Sequence, residues 1–565
     1  MEKPITAVIC AMNSKYIHSS LAPWYLAAAA AERCGERVEV CVLEGTINDR
    51  PELLLKKIVA KNPDVVGFSC YIWNITAVLK LSRQIKSQLP DTVLVLGGPE
   101  VSYNSGQILR ERPYIDYVVC GEGEKPFALL LDALYKGKPP ANIPGLSRRA
   151  GSEILQSPPF IDDGDPPSPY GSEYFDALGN RIAYLETSRG CPYSCAFCLS
   201  CKSGGVRYFN LDRAKKELIM LANSGAKTVK LVDRTFNANK KRAAELVEFI
   251  ISKYVADIPR GVCFHFEIAG DILDERLINL FCSAPPGLIQ LEIGVQSFNQ
   301  KTLIAVNRKT DLDRLTENVG RLVSSGNIHI HIDLIAGLPF EDFASFASSF
   351  NAAYKLKAHM LQLGFLKLLH GSPMREDSKR YPCRFSKSPP YEVIETPWLS
   401  EDEIKLLHCA EDSLNRLYNS GRFRRTLEYL LSTTGVPPFE LFRRFGEYCA
   451  FMNIGRVSLD DYTSAVYRYF SEWDRIDREV LRDVLICDRL STNPGGSLPP
   501  ALKDESAKPQ LKAVLKKMKD NRDTAPIKGV RRGAALLRAE KCVAYADYRD
   551  KNPVTGEFEL KKYYY

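Results

Sequence analysis

Three thiols, Cys191, Cys195 and Cys198, stand at C-x3-C-x2-C spacing within the segment Cys191-Pro192-Tyr193-Ser194-Cys195-Ala196-Phe197-Cys198. Thiolates this close can hold three irons of a [4Fe–4S] cluster and leave the fourth iron without a protein ligand. A cluster closed by four thiolates only passes electrons, whereas an open iron binds a substrate or cofactor directly. The spacing therefore predicts chemistry at the cluster. Zinc is a competing reading, but structural zinc takes four closed ligands, often from two separated knuckles, and no second, separated knuckle stands nearby. A disulfide framework needs an oxidising compartment, and the chain opens Met1-Glu2-Lys3-Pro4-Ile5, without the basic and apolar regions of a secretion signal. Cys201 follows closely enough to be a fourth ligand but lies outside the three-thiol pattern and reads as a bystander.

These thiols need an element to hold them. Residues 182–188 read as a short, largely apolar strand ending at Arg189-Gly190, so the thiol loop leaves a strand's C-terminal end, where α/β barrels carry their catalytic loops. The arrangement resembles the radical S-adenosylmethionine (SAM) family, whose motif is C-x3-C-x2-C after the first barrel strand with an aromatic residue, here Phe197, before the last cysteine. Five further strands are expected at residues 228–232, 262–267, 289–295, 328–333 and 360–365. Helical stretches such as residues 243–254, with Leu246, Val247, Ile250 and Tyr254 on one face, separate them. Six strand–helix units resemble the partial (β/α)6, TIM-like barrel of that family, open enough to admit a large substrate or a neighbouring corrin.

Polar residues gather near the expected strand ends. SAM presents an amine, a carboxylate, ribose hydroxyls and a sulfonium, which carboxylates, an amide and an arginine match. The segments resemble the oxygen-independent coproporphyrinogen oxidase branch and its cobalamin-fused relatives. That resemblance implies Glu267, Gln296, Arg308 and Asp333 as SAM contacts and adds Phe197 and Asp233 to the SAM-binding set, Asp233 lying in the segment that replaces the Gly-Gly-Glu motif of other branches. Each has a structural alternative: Glu267 or Asp333 capping a helix, Arg308 pairing with an acid. His265, His329 and His331 follow strand alternation and read as barrel histidines rather than ligands.

Upstream, apolar strands expected at residues 7–10, 38–42, 65–69, 93–96 and 117–120 alternate with helical stretches. This predicts a parallel, flavodoxin/Rossmann-like sheet covered on both faces, with ligands beyond its C-terminal strand ends. Those ends carry Ser69, Gly97-Gly98-Pro99-Glu100 and Gly121-Glu122-Gly123-Glu124, and none forms a G-x-G-x-x-G fingerprint. Together they resemble the cobalamin-binding domain fused ahead of many radical SAM enzymes, which implies Ser69, Gly97, Gly98, Gly121 and Glu122 as cobalamin contacts. One departure stands out. Cobalamin proteins with a histidine lower ligand carry D-x-H-x-x-G after the first strand; here His18 lies in that loop region without the aspartate. A lone loop histidine is more often solvated or structural. The competing reading is a flavodoxin-like domain that docks the barrel or binds another nucleotide.

At 565 residues the chain is long enough for about three domains. Its 45% hydrophobic and 25% charged residues fit a soluble globular protein. No apolar run reaches about 18 residues; residues 21–31 form at most a short helix of small residues. Sixteen cysteines without a secretion signal suit a reducing compartment, so a cytoplasmic protein without membrane contact is expected. The net charge of +8 is local: residues 503–541 hold twelve Lys or Arg against five Asp or Glu. Leu511, Val514, Leu515 and Met518 recur there at helical spacing, so a solvated helix face is favoured over a nucleic-acid surface. Proline crowds at Pro158, Pro159, Pro166, Pro167 and Pro169, and again at Pro382, Pro389, Pro390 and Pro397. The boundaries expected are a cobalamin-binding-like domain at 1–150, a Pro-rich linker at 151–175, a barrel at 176–375 and a C-terminal domain at 376–565. That last part is expected to be mostly helical, opened by the capping box Ser400-Glu401-Asp402-Glu403, with a small terminal hairpin over residues 543–560. It resembles a domain of unassigned function in one subgroup of cobalamin-fused radical SAM proteins. Cys409, Cys449, Cys487 and Cys542 are too widely spaced for a second cluster and read as buried apolar residues.

The resemblance implies a radical SAM enzyme that generates a 5′-deoxyadenosyl radical with a [4Fe–4S] cluster and SAM, and uses cobalamin to methylate an unactivated carbon of a small-molecule or peptide substrate. An electron donor such as flavodoxin or ferredoxin is expected. Two other readings remain open at this point: the same cofactors in a non-methylating rearrangement or redox reaction, and a cobalamin or redox sensor without turnover.

Overall fold

The computed structural model describes residues 3–495, 497–520 and 532–564. Two compact units emerge, one made of Met1–Leu280, Ile304–Lys309 and Leu366–Pro397, the other of Phe281–Leu303, Thr310–Phe365 and Trp398–Tyr565. The first unit begins with strands and helices in strict alternation: β1 (Ile5–Asn13), α1 (Ala22–Cys34), β2 (Val38–Thr46), α2 (Pro51–Lys61), β3 (Val65–Ser69), α3 (Ile75–Gln88), β4 (Val93–Gly97), α4 (Ser105–Glu111), β5 (Tyr117–Val119) and α5 (Glu124–Tyr135). The first five strands are parallel in the order β2-β1-β3-β4-β5, which is flavodoxin-like, with the order reversing between β1 and β3.

The apolar runs of these strands follow from burial on both faces. Val8, Cys10, Val66, Phe68, Leu94 and Leu96 meet Ile58, Val78, Leu81 and Ile85 of α2 and α3. On the other face Ala7, Ile9, Val65 and Val95 meet Ala30, Phe127, Leu130 and Leu131 of α1 and α5. Each such aliphatic side chain contributes roughly 1.5–3 kcal/mol of burial. The sheet does not stay parallel. β6 (Leu146–Ala150) and β7 (Glu153–Leu155) extend it antiparallel beyond β5. The two-residue connection Gly151-Ser152 between them permits only antiparallel pairing, and Arg148 and Arg149 give this edge the charged character that hides a strand from an apolar-run search.

Next come α6 (Ser172–Leu178), β8 (Ala183–Leu185), β9 (Ser188–Gly190), β10 (Val206–Tyr208), α7 (Leu211–Ala222), β11 (Thr228–Leu231), α8 (Lys240–Lys253) and β12 (Cys263–Ile268). β8 and β12 flank β11 in parallel. The single strand expected over residues 182–188 is broken into β8 and β9. The cause is Asp233, whose carboxylate accepts from Thr187 N, Thr187 Oγ1 and Ser188 N at 2.8, 2.5 and 3.0 Å and turns the chain there. β9 then pairs antiparallel with β10, so the thiol loop is closed at its base by a two-stranded ribbon.

The same alternation continues through α9 (Glu275–Ser283), β13 (Ile289–Gln296), α10 (Gln300–Ala305), α11 (Leu312–Ser324), β14 (His329–Ala336), α12 (Phe343–Lys355) and β15 (Met360–Phe365). β13, β14 and β15 are parallel neighbours in the second unit, and β13 buries every second residue from Ile289 to Val295. Among the described residues each unit thus holds three of these parallel strands, β8, β11 and β12 in the first and β13, β14 and β15 in the second. His331 of β14 is held by Gln290, its Nε2 lying 2.7 Å from Gln290 Nε2.

The C-terminal region is helical, as expected: Glu401–Leu414, Arg424–Thr434, Pro438–Phe451, Leu459–Phe470 and Arg478–Thr492. Ser400 and Glu403 form the capping box of the first helix, which continues as a π turn over Asn415–Asn419. Cys449, Cys487 and Cys542 are buried and Cys409 half-buried. The terminal hairpin is two strands of a three-stranded antiparallel sheet, Arg532–Leu537, Cys542–Lys551 and Phe558–Tyr564. The added strand carries Gly533-Ala534-Ala535, residues of low strand propensity that only pairing makes extended. In the basic stretch, helix Lys508–Asp520 packs Leu511, Val514 and Leu515 with Leu536 and Val543; the side chain of Met518 and residues 521–531 lie outside the described residues.

Candidate cofactor chamber and thiol loop

The thiol loop has no regular structure of its own and is pinned from outside. Ala196 N–H donates to Val306 O at 2.9 Å, while Ala196 C=O accepts from Met374 N at 3.0 Å. Within the loop Cys198 N–H donates to Cys195 O at 3.0 Å, and Asn307 Nδ2 donates to Ser194 O at 3.1 Å. Cys195 is buried and Cys191 and Cys198 are half-buried. Arg308 Nη1 donates to Cys195 Sγ at 3.7 Å, and its guanidinium lies 6.0 Å from the Tyr193 ring centre. Cys191 Sγ lies 3.4 Å from Thr235 Oγ1, and Cys198 Sγ accepts from Ser200 N at 3.4 Å.

Burial pushes the Cys195 thiol pKa up, Arg308 opposes it, and the nearby Cys198 and Cys191 push it further up. Three thiols of one eight-residue segment thus share the loop, with the Arg308 guanidinium on Cys195. This donor set fits an iron–sulfur cluster, whose cations favour the thiolate form. Among the described residues no three His, Cys, Asp or Glu converge on a single-ion site; thiols that serve three separate irons need no such convergence. The Cys201 side chain lies outside the described residues.

The residues expected around SAM divide between the units. In the first, Phe197 is half-buried in the loop, and Arg308 adjoins Cys195. Asp233 is 2% exposed, and both its oxygens are occupied by Thr187 and Ser188. Burial pushes its pKa up against those hydrogen bonds. Glu267, near the end of β12, pairs with Lys230 at 3.3 Å and at a stretched 3.9 Å with Arg234. In the second unit, Gln296 ends β13 and Asp333 lies on the adjacent β14, where the register slips between Gly294 and Gln296. Gln296 has φ +74°, and its Oε1 is buried without a hydrogen-bond partner. A bulge, a strained backbone and an orphaned acceptor on one residue are the features of a strand end shaped for a ligand. Beside it Ser297 Oγ donates to Glu341 Oε1 at 2.6 Å, and Ser349 Oγ donates to the same oxygen at 2.8 Å.

The five residues expected around cobalamin surround one cavity system in the first unit. A chamber of about 680 Å³ is lined by Ser69, Gly98, Gly121 and Glu122 from the first sheet's C-terminal strand ends. Tyr184, Glu186, Val232 and Arg234, at the ends of β8 and β11, line it too, as does Ser200 just past the last thiol. A narrower slot of about 100 Å³ shares Ser69, Gly98 and Gly121 with the chamber and reaches Gly67, Val95, Gly97, Val119 and Phe127. The chamber lies where the strand order reverses, the place parallel sheets bind ligands. Two glycines are obligatory there. Gly98 (φ +106°) and Gly121 (φ +85°) would bring a Cβ within 2.6 Å of Cys70 O and 2.2 Å of Phe160 O. A broad chamber continued by an apolar slot fits a macrocycle with a nucleotide tail. His18 lines the chamber with Nδ1 2.7 Å from Tyr184 Oη, and burial followed by Lys15 and Lys230 lowers its pKa.

Sequence reasoning missed the hub of this site. Arg189, two residues before Cys191, pairs with Glu122 at 2.8 Å, Glu124 at 2.5 Å and Glu186 at 2.9 Å. Its guanidinium lies between the rings of Tyr25 and Phe209 at 5.4 and 5.6 Å. Arg207 adds a second cation on Glu122. A second tie runs from Glu100, whose Oε1 accepts from Tyr391 Oη at 2.5 Å, to Arg375, 4.5 Å from the Tyr391 ring. The run of acids in Gly121-Glu122-Gly123-Glu124 was the available signal, since half-buried carboxylates demand cations.

Three family models match successive parts of the chain: the B12 binding domain over residues 8–131, the radical SAM superfamily over residues 185–352, and a protein of unknown function, DUF4080, over residues 379–538. The cobalamin-dependent radical SAM methyltransferase TokK of Streptomyces tokunonensis is 28% identical over 363 residues, 61% of this chain and 52% of that protein. This chain spans about half the length of the curated relatives it matches first. Among solved structures, the cobalamin-dependent SAM radical enzyme OxsB with aqua-cobalamin bound superposes with a TM-score of 0.60 at 14% identity, covering 86% of this chain and 79% of that one. The radical SAM methyltransferase TsrM of Kitasatospora setae, with cobalamin and a [4Fe–4S] cluster bound, superposes with 0.55 at 18%, covering 66% and 76%. At these identities the likeness is one of fold.

Proposed function

We propose that this chain, built from a B12 binding domain, a radical SAM domain and a DUF4080 region, is a cobalamin-dependent radical SAM methyltransferase acting on an unactivated carbon of a small-molecule or peptide substrate. The observation that carries the reading is the chamber shared by the glycine loops of the first sheet and the strand ends that lead into the thiol loop. When bound, the cluster with SAM supplies one-electron hydrogen abstraction and cobalamin supplies a methyl donor.

The chain's own residues bind, orient and enclose. Cys191, Cys195 and Cys198 ligate the cluster, and Arg308 offsets thiolate charge at Cys195. Glu267, Arg308, Gln296 and Asp333 hold the polar ends of SAM, Phe197 packs beside it, and Asp233 fixes the turn from which the loop departs. Ser69, Gly97, Gly98, Gly121 and Glu122 seat the corrin and its tail. The Arg189 ion pairs tie the Gly121–Glu124 loop to the strand end that leads into the thiol loop. Among the described residues no helix is long and apolar enough to cross a membrane. A cytoplasmic setting with a flavodoxin- or ferredoxin-type electron donor accords with the reading.

Anaerobic reconstitution of the full chain with iron, sulfide, cobalamin and SAM, followed by mass analysis of products from a cell extract, tests it. Methylated product together with S-adenosylhomocysteine is expected. 5′-Deoxyadenosine without methylation would instead indicate a rearrangement or redox enzyme, and neither product would indicate a sensor.

A further inference from the structure

Arg234 stands just past β11, on the chamber wall that β8 and β11 build. Its side chain keeps 59% of its surface exposed, whereas the other arginine of the chamber, Arg189, is committed to three carboxylates. Among the described residues the ion pair Arg234 makes is the stretched 3.9 Å approach to Glu267, a carboxylate that Lys230 already meets at 3.3 Å. A guanidinium so weakly engaged inside a chamber retains its planar, two-pronged capacity for an anion.

Nearby lies a rigid aromatic surface. Tyr71 and Trp73 both line the chamber and stack on each other with ring centres 4.4 Å apart and planes 6° from parallel. Trp73 Nε1 donates to Met12 O at 3.2 Å, which fixes the indole, yet Trp73 remains 44% exposed. Arg234 lines the same chamber as both rings, so cation and platform face one cavity. A large aromatic face held open, beside a cation held open, describes a bipartite subsite.

We propose that Arg234 and the Tyr71–Trp73 platform form the substrate subsite of the chamber, and that the substrate joins a carboxylate to a flat, apolar body. This rests on the chamber being the reaction chamber, as proposed above. The carboxylate would pair with the Arg234 guanidinium while the apolar body covers the exposed indole. Neither Arg234 nor Trp73 is among the residues assigned above to SAM or the corrin, so cofactor loading of each variant is measured before its probe binding is compared.

The test uses the full chain reconstituted anaerobically with cluster and cobalamin, and two probes differing only in charge, indole-3-carboxylate and indole-3-carboxamide, in equilibrium dialysis. The carboxylate is expected to bind about tenfold more tightly, as one charge-assisted pair allows. Arg234→Gln should erase that preference, and Trp73→Ala should weaken both probes alike. Corrin absorbance and SAM binding should match wild type in both variants. Equal binding of the two probes by cofactor-loaded wild type, a preference that survives Arg234→Gln, or loss of SAM or corrin in that variant would each overturn the inference while leaving the proposed function standing. Wild-type protein that takes up neither cluster nor corrin would defeat the proposed function itself.

Discussion

Cys195 is the thiol on which the loop turns, being the buried one of the three and the one Arg308 touches. Its removal leaves two ligands for three irons, so Cys195→Ala should lose the cluster's visible absorbance and all SAM cleavage; persistent cleavage in that variant would contradict the assignment. The thiols were legible because ligand spacing in one loop is a local property. Arg189 was not, because its acids Glu122 and Glu124 lie 67 and 65 residues earlier and meet it only after folding. A further residue-scale consequence concerns Glu341, fully buried, with Oε2 lacking a partner and burial pushing its pKa to about 7. The carboxyl is raised above its ordinary value of 4.5. Its contribution to stability is therefore complete below pH 4.5 and lost as pH rises through about 7, because the unfolded chain gives up the proton first. The unfolding free energy from urea titrations should fall over that window by on the order of 3 kcal/mol. Glu341→Gln, which keeps an acceptor for Ser297 and Ser349, should flatten that slope.

The strand–helix alternation was legible because every element of it buries an apolar face at a regular period. What escaped were elements made by pairing rather than pattern: the Arg148-Arg149 edge of β6, the small-residue strand Arg532–Leu537, and the break between β8 and β9 imposed by Asp233. Two predictions belong here. Arg189→Ala strands Glu124 and Glu186 and leaves Glu122 to Arg207 alone; Glu186 already has its pKa raised by burial. Leaving half-buried carboxylates without their cation should cost about 3–5 kcal/mol in urea unfolding, with Arg189→Lys recovering part of it. Gly121→Ala would drive a Cβ to 2.2 Å from Phe160 O at a φ of +85°. The loop must move, so corrin retention should fall well below wild type while the thiol loop still accepts its cluster; unchanged retention would show that Gly121 does not shape the corrin seat.

At the scale of the molecule, the first unit holds Cys191, Cys195 and Cys198, the chamber and its slot. The second carries Gln296 at the end of β13, Asp333 within β14 and, from Trp398 on, most of the DUF4080 region. That region's motifs named no chemistry in the sequence; its Arg425 ties Asp488 of a neighbouring helix to Glu557, just before the last strand. Substrate identity was illegible because Arg234 and Trp73 are ordinary surface residue types until folding sets them on one chamber. The central claim is an iron–sulfur cluster with one iron open beside residues 191–198. Electron paramagnetic resonance of the anaerobically reconstituted, reduced full chain, recorded before and after SAM is added, tests this most directly. The account predicts a [4Fe–4S] signal whose g-values shift on SAM binding and which is absent from Cys195→Ala; a cluster signal indifferent to SAM, or zinc bound there in place of iron, would contradict it.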